Sequence, residues 1–128
     1  MHSPLQHITE VYNAMETGNI GKLITILSNP IHVYTAHCMG GNSFGREGIL
    51  RQISTFYRPG AGISKTVAHL IEKGHMVIAL GTICISSSGQ TIETMPFADV
   101  WSFDEEKISG VVCYYRDAEQ LCTHLSKV

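Results

Sequence analysis

Apolar positions along this chain switch from a helical to a strand period near residue 63. Over residues 4–16, Leu5, Ile8, Val11, Tyr12 and Met15 form one apolar stripe, which predicts a helix. Ser3 and Pro4 supply an N-cap and a first-turn proline, and Gly18-Asn19 stops it. A shorter helix is predicted over 20–28, with Ile20, Leu23, Ile24 and Leu27 inward and Asn29-Pro30 as its end. Residues 31–38 alternate as a strand, placing Val33, Thr35 and His37 on one side. Gly40-Gly41-Asn42-Ser43 reads as a loop. Arg46 to Tyr57 reads as a third helix closed by Pro59-Gly60.

Four strands follow, over 64–72, 75–87, 91–103 and 107–116. They are separated by Lys73-Gly74, Ser88-Gly89-Gln90 and Asp104-Glu105-Glu106, all hairpin-type connections. Residues 118–125 make a short terminal helix. The expected architecture is α+β, with helices covering one face of a curved sheet. At 128 residues with no linker or repeat, the chain is expected to form a single domain spanning 1–128.

One strand carries an anomaly. On 91–103 the inward face reads Glu93, Met95, Phe97, Asp99, Trp101, Phe103. A carboxyl among those side chains points into the interior. Burial disfavours its ionised form, so a proton donor or a poised base is expected there. The plain alternative is a buried Asp bonding loop amides.

Composition narrows the classes. Hydrophobic residues make up 44% and charged residues 16%, so apolar surface is expected to hide in a cavity or a homodimer interface. The net charge of −2, without a Lys/Arg cluster, argues against nucleic acid. No run reaches a membrane span, and residues 1–10 lack a signal-peptide pattern. The four cysteines have no C-x-x-C spacing, so reduced thiols in a cytoplasmic protein are expected. The seven histidines form no H-x-H or H-E-x-x-H, and no metal is expected.

The order of elements, with Thr17-Gly18-Asn19, Leu23…Leu27-Ser28-Asn29-Pro30, Gly45-Arg46-Glu47-Gly48-Ile49, Gly74-His75-Met76-Val77, Ala98-Asp99-Val100-Trp101-Ser102-Phe103, Lys107-Ile108 and Tyr114-Tyr115-Arg116-Asp117, resembles the SnoaL-like branch of the nuclear transport factor 2-like superfamily. The resemblance implies a cone: a curved mixed sheet (an α+β barrel) wrapped around three N-terminal helices, enclosing an apolar pocket, often in a dimer. It covers ketosteroid isomerases, polyketide cyclases, scytalone dehydratase, limonene epoxide hydrolase and non-enzymatic binding modules.

By that resemblance, Asp99 falls at the isomerases' protonated oxyanion-hole acid, and Tyr12 falls beside their hydrogen-bonding tyrosine; its alternative is an ordinary core residue. The isomerases' base is a carboxylate on the strand after the second helix, where this chain has none. His37 could take that role, or be a structural or exposed histidine near the Gly-Gly loop. Cys113 stands where polyketide cyclases carry a catalytic Asp, and packing is its other reading.

Phe97, Trp101, Met95, Cys113 and Tyr115 are expected to line the substrate pocket, with plain core contact as the alternative for the aromatic rings. Asp117 is read first as a cap of residues 118–125, with lining of the pocket mouth as the alternative, Glu93 as lying at the pocket's far end, and His69 and Glu72 as facing opposite ways. The leading expectation is a cofactor-free isomerase or cyclase of secondary metabolism acting on an apolar polycyclic substrate: polyketide, terpenoid or steroid-like. A non-catalytic ligand carrier is the second reading, and a dehydratase or epoxide hydrolase the third.

Overall fold

The computed structural model describes residues 3–39, 41–57 and 60–127. Gly40 and the helix-closing Pro59 lie outside the described residues, as does His2. Helix α1 (Pro4–Thr17) starts at Ser3, whose side chain accepts from the Gln6 amide at 3.2 Å. It ends at Gly18, which adopts φ 69°, the left-handed geometry that glycine reaches without strain. Ile8, Val11 and Met15 are buried as the stripe requires. Asn19 then caps α2 (Ile20–Ile26) through the Lys22 amide at 3.2 Å.

Two boundaries differ from the sequence reading. Helix α2 ends at Ile26, because Leu27 is already extended and pairs in parallel with Ile108. Strand β1 (Leu27–Tyr34) therefore begins earlier and stops earlier, and the ladder shifts register between Leu27 and His32, the segment that contains Pro30. The expected Gly-rich loop contributes β2 (Asn42–Phe44), an edge strand antiparallel to β1. Between them a 3-10 turn covers His37–Met39.

After α3 (Glu47–Phe56) come β3 (Ile63–Lys73), β4 (Met76–Ser87), β5 (Gln90–Asp104) and β6 (Lys107–Tyr115), then α4 (Ala118–Leu125). The six strands form one sheet in the order β2-β1-β6-β5-β4-β3. It is mixed, since β1–β6 is parallel and the other pairs are antiparallel. A bulge between Val67 and His69 bends β3 against β4. At that bend Gly81 lies under Thr66, and a Cβ there would come within 1.9 Å of the Thr66 carbonyl oxygen.

The concave face packs on the helices in two clusters. One joins α1, α2, β1 and the lower sheet around Ile8, Met15, Ile31, Val77, Trp101 and Val111. The other gathers Ala61, Ile83, Ile85, Met95 and Phe97 under Leu121 and Leu125 of α4. On the convex face, register aligns Ile71, Ile78, Val100, Val112 and Tyr34 in one row across five strands.

The cysteine expectation is corrected. Cys38 and Cys122, 84 positions apart, form a disulfide with Cα atoms 5.6 Å apart, while Cys84 and Cys113 are free. No spacing motif marks this pair; the fold alone brings the 3-10 turn against α4. Reduced thiols therefore no longer argue for a reducing compartment. Among the described residues, no helix is long and apolar enough to cross a membrane.

Candidate functional site

Strand alternation turns Asp99 inward, between Ala79 on β4 and Cys113 on β6. It is 1% exposed. Its Oδ2 accepts the Tyr12 hydroxyl at 2.5 Å and the Lys65 ammonium at 2.7 Å. Trp101 Nε1 donates to the Tyr12 oxygen at 3.1 Å, and its ring meets Tyr12 edge-on at 5.7 Å. Tyr12 reaches Asp99 because both occupy the apolar stripes of their elements, α1 and β5. Among the described residues, Asp99 Oδ1 is buried without a hydrogen-bond partner.

Lys65 is the residue that sequence reasoning missed. It lies on β3 in phase with Ile63 and Val67, so period-2 alternation does mark it as inward. Its side chain is 3% exposed. The ammonium also sits 4.5 Å from the centre of the Phe97 ring, with Tyr12 and Tyr115 at 5.7 and 5.9 Å, an aromatic surround that suits a cation. Beyond the Val67–His69 bulge, His69 and Glu72 are both exposed.

Charge at the cluster is organised around the pair. Burial pulls the Lys65 ammonium toward neutrality, but Asp99, with Tyr57 and Cys113 behind it, outweighs burial and lifts its pKa above the usual value. Burial first, then the charge of Asp99, pushes the Tyr12 hydroxyl far above the normal tyrosine range. Tyr57 is pushed up to about 12, chiefly by burial. Tyr115, whose hydroxyl pairs with Thr35 Oγ1 at 3.3 Å, is also raised well above its usual value, burial leading. Three neutral phenols therefore surround one ion pair.

This arrangement corrects two expectations. Asp99 does not stand among apolar side chains alone: the Lys65 ammonium lies 2.7 Å from its Oδ2, which accepts from it and from Tyr12. His37 is not brought to the cluster. Strand β1 stops at Tyr34, so His37 falls on the exposed 3-10 turn, and Thr35 takes the inward position.

The other candidates divide. Trp101 adjoins Tyr12, and Phe97, Cys113 and Tyr115 adjoin Asp99 or Lys65. Met95 packs under α4 in the second cluster. Asp117 caps α4 through the Gln120 amide at 3.0 Å, and Glu93 accepts from Gln120 Nε2 at 3.1 Å. A cleft of about 360 Å³ reaches Tyr12 between α1 and β3, lined by Thr9, Asn13, Val67 and Leu70. A second, of about 470 Å³, lies between α4 and the β4–β5 hairpin.

No protein-family model and no curated protein matches the sequence. Solved structures do match in shape. An NTF2-like protein of unknown function from Burkholderia pseudomallei superposes with TM-score 0.74 at 17% identity, covering 94% of this chain and 96% of that one. The chain has the NTF2-like fold. A Xanthomonas campestris protein of unknown function with a cystatin-like fold gives TM-score 0.76 at 16% identity, over 97% and 98% of the two chains. IdmH of Streptomyces antibioticus, a candidate polyketide cyclase, gives 0.73 at 15% identity over 99% and 100%. At such identities the likeness concerns the NTF2-like cone, and its chemistry rests on the residues inside it.

Proposed function

We propose that this NTF2-like protein is a cofactor-independent acid–base catalyst, an isomerase or cyclase for an apolar polycyclic substrate bearing an enolisable carbonyl. The observation that carries this reading is the division of labour on Asp99. Its Oδ2 is held by Lys65 and Tyr12, while Oδ1 has no partner among the described residues. A carboxylate fixed by one oxygen leaves the other to take a proton from the carbon beside the substrate carbonyl.

The electron pair released then moves onto the carbonyl oxygen. Lys65 is the cation that would meet it with an N–H not given to Oδ2, an interaction that gains strength in a water-excluded site, while the Tyr12 hydroxyl holds Oδ2 and so positions the base. Return of the proton from Asp99 to a different carbon completes an isomerisation, and attack of the enolate carbon on a second carbonyl closes a ring. The shared cone with IdmH, a candidate polyketide cyclase, is consistent with such chemistry. TerC, crystallised with polyporic acid, has the same shape at TM-score 0.72 and 17% identity, over 93% and 97% of the two chains.

The test is deuterium incorporation at the α-carbon of a panel of polycyclic ketones in D2O, followed by proton NMR. Wild type should accelerate exchange for at least one ketone. Asp99→Asn should lose it by about 100-fold or more, and Tyr12→Phe by about 10- to 100-fold. Binding of a ketone without any exchange, or exchange that survives Asp99→Asn, would remove the catalytic reading. A carrier of apolar ligands is then the reading left, and the near-complete closure of Asp99 and Lys65 is what favours it.

A further inference from the structure

Asp99 and Lys65 are shut off from solvent, yet one element of their enclosure is held differently from the rest. Helix α4 belongs to no strand ladder. It follows Tyr115 at the end of β6 and lies across the second cluster, where Leu121 is 0% and Leu125 7% exposed. These leucines fill the space between Ala61, Ile83, Ile85, Met95 and Phe97. Phe97 is also the ring that stacks 4.5 Å from the Lys65 ammonium, and Tyr57, Val67 and Tyr115 pack against both clusters. The volume under α4 is thus continuous with the wall of the Asp99 cluster.

Two side-chain hydrogen bonds anchor α4 among the described residues. His124 Nε2 pairs with the Ala61 carbonyl at 2.7 Å, and Gln120 Nε2 donates to the half-buried Glu93 at 3.1 Å. Beside the helix lies the open cavity of about 470 Å³, bounded by Ile85, Glu93, Gln120 and His124. The remaining attachment is covalent: Cys122, in the middle of α4, is bonded to the half-buried Cys38.

We propose that the space filled by Leu121 and Leu125 is a binding site for an apolar ring-bearing or isoprenoid molecule, that α4 is its plug, and that the Cys38–Cys122 bridge latches the plug in place. The walls of the vacated site named above are aliphatic and aromatic, with Tyr115 and Lys65 at one end. That lining suits a ligand with one oxygenated end and an otherwise hydrocarbon body. A dithiol opens the latch by exchange. Its two sulfurs replace the Sγ–Sγ bond with their own disulfide, and two electrons and two protons pass to Cys38 and Cys122, leaving two thiols. Among the described residues, helix α4 is then held by its leucines and two hydrogen bonds, and its local opening becomes less costly. This inference goes beyond the acid–base reading and does not depend on catalysis at Asp99.

The test compares the oxidised full-length protein, the same protein with dithiothreitol, and the Cys38→Ser/Cys122→Ser double variant. Amide hydrogen exchange is followed by mass spectrometry, and site opening by binding of 8-anilinonaphthalene-1-sulfonate. Reduction and the double variant should each speed exchange over 119–126 by about tenfold or more while β4 and β5 stay protected. The dye should bind saturably, one per chain, in those two forms and not in the oxidised wild-type protein. Leu121→Ala with the bridge intact supplies a second check, since it should admit the dye weakly without loosening the helix. Three results would overturn the proposal: unchanged exchange in α4, loss of protection in α4 and the sheet together, or a loosened α4 with no saturable dye binding. Loss of α-carbon exchange in Asp99→Asn is a separate readout, so either idea can fail without the other.

Discussion

Replacing Lys65 by methionine keeps the length of the side chain and removes its charge, leaving the Asp99 carboxylate buried without its cation. The Nζ–Oδ2 separation is 2.7 Å, and the two side chains are 3% and 1% exposed. At an effective dielectric constant of about 20, that separation corresponds to a gross attraction of about 6 kcal/mol. Desolvation of the two ions offsets most of it, so the pair adds little net stability. Stranding one member, however, costs about 3–5 kcal/mol.

Lys65→Met and Asp99→Asn should therefore each destabilise the fold by about 3–5 kcal/mol, while the double variant should fall short of their sum by about 2 kcal/mol or more. Urea denaturation read by fluorescence measures this directly, because Trp101 is the only tryptophan and bonds Tyr12 inside the cluster. Singles below about 1 kcal/mol that add within about 0.5 kcal/mol would show that the two charges do not meet in a dry interior.

Alkaline pH supplies a second test. Tyr12, Tyr57 and Tyr115 hold their protons above the usual value of 10.0 in the fold, and Lys65 above 10.5, so their contribution is complete below about pH 10 and lost as pH rises beyond it. Tyr57 alone, at about 12, should remove about 2 kcal/mol of stability between pH 10 and 12. Urea midpoints that hold steady over that range would contradict the buried phenols. Gly81→Ala, with its Cβ 1.9 Å from the Thr66 carbonyl, should cost about 2 kcal/mol or more in the same denaturation assay, unlike a change at the open, positive-φ Gly89 turn, which should cost less. The convex row from Ile71 to Tyr34, beside the 58% exposed Tyr114, is where a second copy should pack; sedimentation equilibrium should find a dimer that Tyr114→Glu turns into a monomer.

Much of the molecule is written in local periodicity. Helix α1, with its Ser3 cap and its Gly18 stop, follows from residues a few positions apart, and so do the four long strands and their turns. The same periodicity aims Asp99 and Tyr12 inward, because which face of an element is apolar is a property of that element alone. It also aims Lys65 inward between Ile63 and Val67, a signal that is easily passed over since lysine at an inward position is rare.

What periodicity cannot state is which faces meet. The Asp99–Lys65 contact depends on β3, β4 and β5 pairing in one register, bent by the bulge beside Gly81. A carboxyl placed by its own strand in oil is thus given a cation by another strand 34 positions away. Pairing with β6 ended α2 early and drew Leu27 into β1, and the strand's stop at Tyr34 turned His37 out to solvent. The union of Cys38 with Cys122, 84 positions apart, likewise depends on the fold that brings the 3-10 turn against α4. Contacts between distant segments are decided by register and curvature, which are cooperative properties of the whole sheet, and no short window of sequence contains them.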